Sequence, residues 1–182
     1  MKNAMNASKS FLLSGLTAAL CVLTACGPGD FNYGKVGNLI QANPIRLDAE
    51  YVMLSPQQFQ CGISEDLWDP PSDAGGHTVA RLTQKGRDLK FADDVSVGDM
   101  KQPYVQVRGE FSLSTLDVRS DREGPDKDSK LVDVMIGVPI THSCFQQPLP
   151  MLGVHKGNFT EDYPPTVLFR YNNGWYLDRI MH

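Results

Sequence analysis

Histidine and tryptophan are scarce, at four and two copies in 182 residues, and the four cysteines are scattered. No two histidines stand three to five residues apart, and no zinc-binding spacing appears. The chain also lacks a phosphate-cradling glycine loop and a strained Gly-x-Ser-x-Gly elbow. Catalysis therefore has no motif to rest on, and neither a metal nor a cofactor is called for. An excess of positive charge is missing as well. Seventeen basic side chains face 21 acidic ones, a net charge of −4, which argues against nucleic acid and against electrostatic docking on anionic lipid. No apolar run is long enough to cross a bilayer. The longest, Phe11 to Cys26, has 16 residues and includes Ser14, Thr17 and Thr24, where a span needs about 20.

What the N-terminus does hold is Lys2 and Lys9, then that apolar run, then small residues, with no acidic residue before Cys26. This order is that of a secretory signal. Its end, Leu23-Thr24-Ala25-Cys26, resembles the lipobox of bacterial lipoproteins. The resemblance covers only the first 26 residues. It implies that residues 1–25 are a signal peptide and that Cys26 becomes the acylated first residue of the mature chain. Two acyl chains hold a protein on a membrane stably, so the implied anchor is permanent. In enterobacterial lipoproteins an aspartate after the cysteine favours the inner membrane. Gly27 stands there instead, which implies the outer membrane, facing the periplasm.

Cleavage after Ala25 would leave 157 residues with 15 basic and 21 acidic side chains, one domain's worth. Gly27, Gly29, Gly34 and Gly37 make residues 26–38 read as a flexible tether, and residues 39–182 as a single domain. Only Cys61 and Cys144 then remain. In an oxidising compartment a disulfide is their default state. The alternative is a reactive thiol, because His142 and Cys144 stand two apart and a neighbouring imidazole lowers a thiol pKa. A zinc site from Cys61, His142, Cys144 and His155 would need both thiols reduced.

Ser55-Pro56-Gln57-Gln58 predicts a helix start, with Ser55 as cap, Pro56 at the first position and Gln58 completing a capping box. Gly62 is expected to end that helix. Residues 78–91 fit a helix slightly better than a strand and turn. From Tyr104 the pattern is β. Val105, Val107, Phe111 and Leu113 alternate, then Leu116 and Val118 resume with the other parity, which predicts a bulge near Ser114-Thr115. Val132, Val134, Ile136, Val138 and Ile140 form one apolar strand face, and Pro139 marks a strand end that is an edge or a bulge. The closing hairpin is best paired through a three-residue turn with Gly174 left-handed, setting Tyr171 against Trp175 and Phe169 against Leu177.

Helices first and an antiparallel meander after them predict an α+β fold, with one or two short N-terminal helices packed on the sheet. The closing segment, residues 173–180, is similar to the last strand of nuclear-transport-factor-2-like and cystatin-like lipoprotein domains, and that resemblance implies the same architecture. Asp121, Glu123, Asp126 and Asp128 are interleaved with cations and miss the calcium-loop spacing, so they read as a solvated hairpin tip. Asp93, Asp94 and Asp99 read as surface turns. Gln146 to Pro165 is proline-broken, and Pro148, Leu149, Pro150, Met151 and Leu152 form its apolar patch, a candidate surface for docking an envelope protein. His142, Tyr171 and Trp175 are candidates for a small apolar pocket. The expectation is a membrane-anchored, non-enzymatic interaction or assembly module. A small-ligand binder comes second, and a Cys/His enzyme third.

Overall fold

The computed structural model describes residues 31–97, 102–155, 157–160 and 162–181. Residues 1–30, with the signal segment and Cys26, lie outside the described residues, as does Asp99.

The capping box forms as the spacing predicts. Helix α2 (Pro56–Ser64) begins with Gln58 N–H donating to Ser55 Oγ (3.2 Å) while Ser55 N–H donates to Gln58 Oε1 (2.7 Å). Gly62 does not end the helix, which runs on to Ser64. Its lack of a side chain serves packing instead, since a Cβ there would lie 2.0 Å from the ring of Trp68. That indole is fully buried and donates its Nε1–H to the Phe59 carbonyl at 3.1 Å.

Part of the expected tether is helix. Asn32 caps α1 (Tyr33–Ala42) by accepting from Lys35 N–H, and Val36 and Ile40 are fully buried. Two helical glycines cost about 1 kcal/mol each. Burying a valine and an isoleucine contributes about 1.5–3 kcal/mol apiece, so the packing wins.

Residues 78–91 also correct their expectation. Gly75 and Gly76 both take positive φ (61° and 90°) and turn β2 (Ser72–Ala74) back onto β3 (His77–Ala80), with Ala74 opposite His77. Two left-handed residues suit the twist of a tight hairpin, and a glycine pair supplies them without strain. Only the short helix α3 (Gln84–Asp88) follows, its Gly86 packed against the Leu67 carbonyl.

Two antiparallel sheets share one core. The first has the order β1 (Ile45–Met53), β5 (Tyr104–Phe111), β4 (Val95–Val97), β3, β2. The second runs β12 (Trp175–Met181), β11 (Thr166–Tyr171), β7 (Ser129–Val138), β6 (Ser114–Glu123). The parity change after Leu113 is where the chain leaves the first sheet for the second. The register slips lie slightly further on, between Thr115 and Asp117 and between Val118 and Ser120. Val132, Val134, Ile136 and Val138 are all fully buried, and β7 stops one residue before Pro139. A separate small hairpin joins β9 (Gly153–His155) to β10 (Asn158–Thr160). Short helices on a mainly antiparallel sheet give the α+β fold that the pattern predicts.

The proline-broken stretch joins the two sheets. Strand β8 (Leu149–Pro150) pairs with Gly137 and Val138 of β7, and Met151 N–H donates to the Ile136 carbonyl at 2.8 Å. Met151 also bridges to Val52 of β1, and Leu152 N–H donates to the Tyr51 carbonyl at 2.9 Å. Leu149, Met151 and Leu152 are buried. They are core and not a docking patch, and of the five candidates only Pro148 and Pro150 are even partly exposed.

The closing hairpin has the expected register, Tyr171 against Trp175 and Phe169 against Leu177. The left-handed residue is Asn173 (φ 57°), not Gly174. Asparagine is one of the few residues that enters this region readily. The register then jumps from Phe169–Leu177 to Leu168–Arg179, so Asp178 bulges and accepts from Arg170 Nε at 3.2 Å.

On the outer face of β7, Asp133 accepts from Thr166 (2.6 Å), Ser120 (2.7 Å) and Arg122 (2.8 Å). Burial pushes its pKa up, but the three donors outweigh burial and hold the carboxyl below the usual carboxylate range. Stability from this group is present above the ordinary value of about 3.9 and is lost as pH falls through the lower folded value. Asp133→Asn should therefore unfold more easily at neutral pH and lose less stability on acidification below about pH 4 than the parent. Denaturant midpoints at pH 7 and pH 3 test this. A parallel acid loss in both proteins would show that Asp133 does not carry the effect.

Candidate functional site

Cys61 sits on the last turn of α2, and Cys144 lies in the turn that follows β7. Their sulfurs are bonded, with Cα atoms 5.6 Å apart across 83 residues of chain. The bridge ties α2 to residues 143–148, and a cleft of about 780 Å³ opens beside it.

The lining follows from the two elements that the disulfide joins. The first turn of α2 presents Gln57 and Gln58, residues 143–148 present Gln146 and Gln147, and Gln102 comes from the approach to β5. Five of the chain's nine glutamines thus converge on one cleft. The Oε1 of Gln58 is held by the helix cap, whereas no hydrogen bond among the described residues engages the side chains of Gln57, Gln146 or Gln147. A primary amide donates two hydrogen bonds and accepts two, with no charge to desolvate. Apolar surface comes from Met53, Leu116, Pro148 and Pro150. Gly137 allows the closeness of two of these, since a Cβ on it would lie 2.5 Å from Pro148 and 3.2 Å from Leu116. Among the described residues, no lining side chain other than the bonded cysteines is ionisable. The described lining can therefore recognise hydrogen-bonding groups.

No protein-family model, no curated protein and no solved structure matches this chain.

The other sequence candidates distribute as follows. With Cys144 in the bridge there is no thiolate for His142 to activate. The Nδ1 of His142 instead accepts from Cys144 N–H at 3.2 Å, which fixes the turn. His155 stacks on Tyr163 at 3.8 Å, and no three metal-binding side chains converge among the described residues. The expected pocket is divided. Tyr171 and Trp175 line a smaller hollow of about 310 Å³ with Leu39, but His142 is not part of it. At the β6–β7 tip Asp126 pairs with Arg170 (2.7 Å) and Glu123 with Lys130. Asp94 accepts from Leu82 N–H at 2.9 Å.

The glutamines were missed although a signal existed. Gln57-Gln58 precedes Cys61 by three to four residues, and Gln146-Gln147 follows Cys144 by two to three. Once the two cysteines are joined, both pairs must lie near the same bond.

Proposed function

We propose that this chain is a membrane-tethered lipoprotein of the bacterial envelope whose domain is a non-enzymatic docking module. The cleft beside Cys61–Cys144 is its site, and its ligand is an extended, uncharged segment of a partner protein. The observation that carries this reading is the convergence of five glutamines on a cleft whose described lining carries no charge. A peptide backbone alternates donors and acceptors, and primary amides satisfy both. The prolines and Leu116 add apolar contact for side chains of the same segment. Membrane tethering is supported by Lys2, Lys9, the short apolar run and Leu23-Thr24-Ala25-Cys26.

Gln146→Ala with Gln147→Ala removes two exposed amides, so folding stability should change by less than about 0.5 kcal/mol. Two lost hydrogen bonds of about 1 kcal/mol each should weaken partner binding about 30-fold. A photo-crosslinker at Gln57 in whole envelopes, followed by titration of the captured partner's peptide, measures both effects. Unchanged affinity in the double variant, with the crosslink retained, would move the docking site off these glutamines.

A further inference from the structure

Helix α1 is anchored from its first residues. The ring of Phe31 lies 4.9 Å from that of Trp175 and 5.4 Å from that of Phe169, so the chain enters the fold against the β11–β12 hairpin. Beside this entry lies the smaller hollow, walled by Leu39, Tyr171 and Trp175 with Lys35 and Asn38 at its rim. Five residue steps separate Cys26 from Phe31. Fully extended they reach no more than about 17 Å. A domain of this length has a radius of gyration of about 14–15 Å and is therefore more than twice as wide as the tether is long.

We infer that the hollow formed by Leu39, Tyr171 and Trp175 is the surface that rests on the bilayer carrying the Cys26 anchor, with Trp175 at the interfacial layer. This rests on the lipoprotein reading above and adds an orientation to it. With so short a leash, faces remote from Phe31 cannot be turned to the membrane, whereas this one cannot be moved far from it. The chemistry of the face fits a headgroup layer. Tryptophan and tyrosine present an apolar body with a polar tip, the side-chain type that suits such a layer. The carboxylates nearby, Asp121 beside Tyr33 and Asp126 and Asp128 beside the hairpin, give no preference for anionic lipid. The contact is with zwitterionic lipid and is driven by the rings and the tether.

Tryptophan emission tests this, because Trp68 is buried in the core and serves as an internal reference. Full-length protein from membranes, checked by intact mass for acyl chains on Cys26, is reconstituted into phosphatidylethanolamine–phosphatidylcholine vesicles containing lipid brominated high on the acyl chain. The part of the emission removed by Trp175→Phe should be mostly quenched, and the Trp68 part should be unchanged. Acylated protein whose Trp175 emission escapes quenching would overturn the orientation and leave the anchor standing. Equal quenching of Trp68 would also overturn it, since the domain would then be unfolded or immersed. Absence of acyl chains on Cys26 would remove the anchor and the orientation together.

Discussion

Replacing Leu149 and Met151 together by serine will unfold the domain or lower its melting temperature by about 10 °C or more. Truncating a buried leucine or methionine costs about 2–5 kcal/mol through lost transfer energy and the cavity left behind. Both side chains are buried, Leu149 fully. The two sites share neighbours, so their effects will not add simply, but even about 4 kcal/mol is a large part of a total near 5–15. Serine adds a hydroxyl to a place with no partner for it, which costs further. The position of the segment raises the stakes. Met151 is hydrogen-bonded to β7 and bridged to β1, so loosening it separates the two sheets along their seam. Thermal melting by circular dichroism decides the matter. A fall of less than about 3 °C would return residues 149–151 to the surface role that their prolines suggested.

The contrast between this segment and the rest shows what local sequence can and cannot carry. The α2 start was legible because a capping box is settled within four residues, and nothing distant competes with it. The closing hairpin was legible because only one register sets aromatic against aromatic and aliphatic against aliphatic. Its turn was misassigned because glycine and asparagine both tolerate positive φ, and neighbouring geometry chose Asn173. Helix α1 was hidden by two glycines, since it buries Val36 and Ile40 and packs chiefly on β6 and β12, strands more than 70 residues away. For Leu149 to Leu152 the decisive fact is that the segment falls between β7 and β1. No periodicity within four residues encodes that. The cleft was half legible. The disulfide was readable from the cysteine count together with the export that the leader leads one to expect, but the glutamines gained meaning only once the bridge placed them together.

Removing that bridge should damage stability and binding by separable amounts. Cys61→Ala with Cys144→Ala frees a loop of 83 residues, for which the chain-entropy model gives about 4.5 kcal/mol as an upper figure. Loss of a native disulfide costs about 2–5 kcal/mol, which for a chain of this size lowers the melting temperature by about 5–15 °C. The local consequence is more specific. Without the bond, α2 and residues 143–148 meet through Phe59, Trp68 and Phe145, whose rings pack at 6.0 and 6.3 Å, and nothing covalent holds Gln57 and Gln146 to the same cleft. Below its melting temperature the variant should therefore remain folded yet bind the partner peptide at least as weakly as the Gln146→Ala, Gln147→Ala protein. Denaturant midpoints of parent, reduced parent and double variant give the stability term, and peptide titration at 25 °C gives the binding term. A reduced parent with an unchanged midpoint would show that the bridge contributes no stability. Full affinity in a folded, bridge-free variant would show that the cleft is held by packing alone, and that the disulfide is not what brings the two glutamine pairs to one cleft.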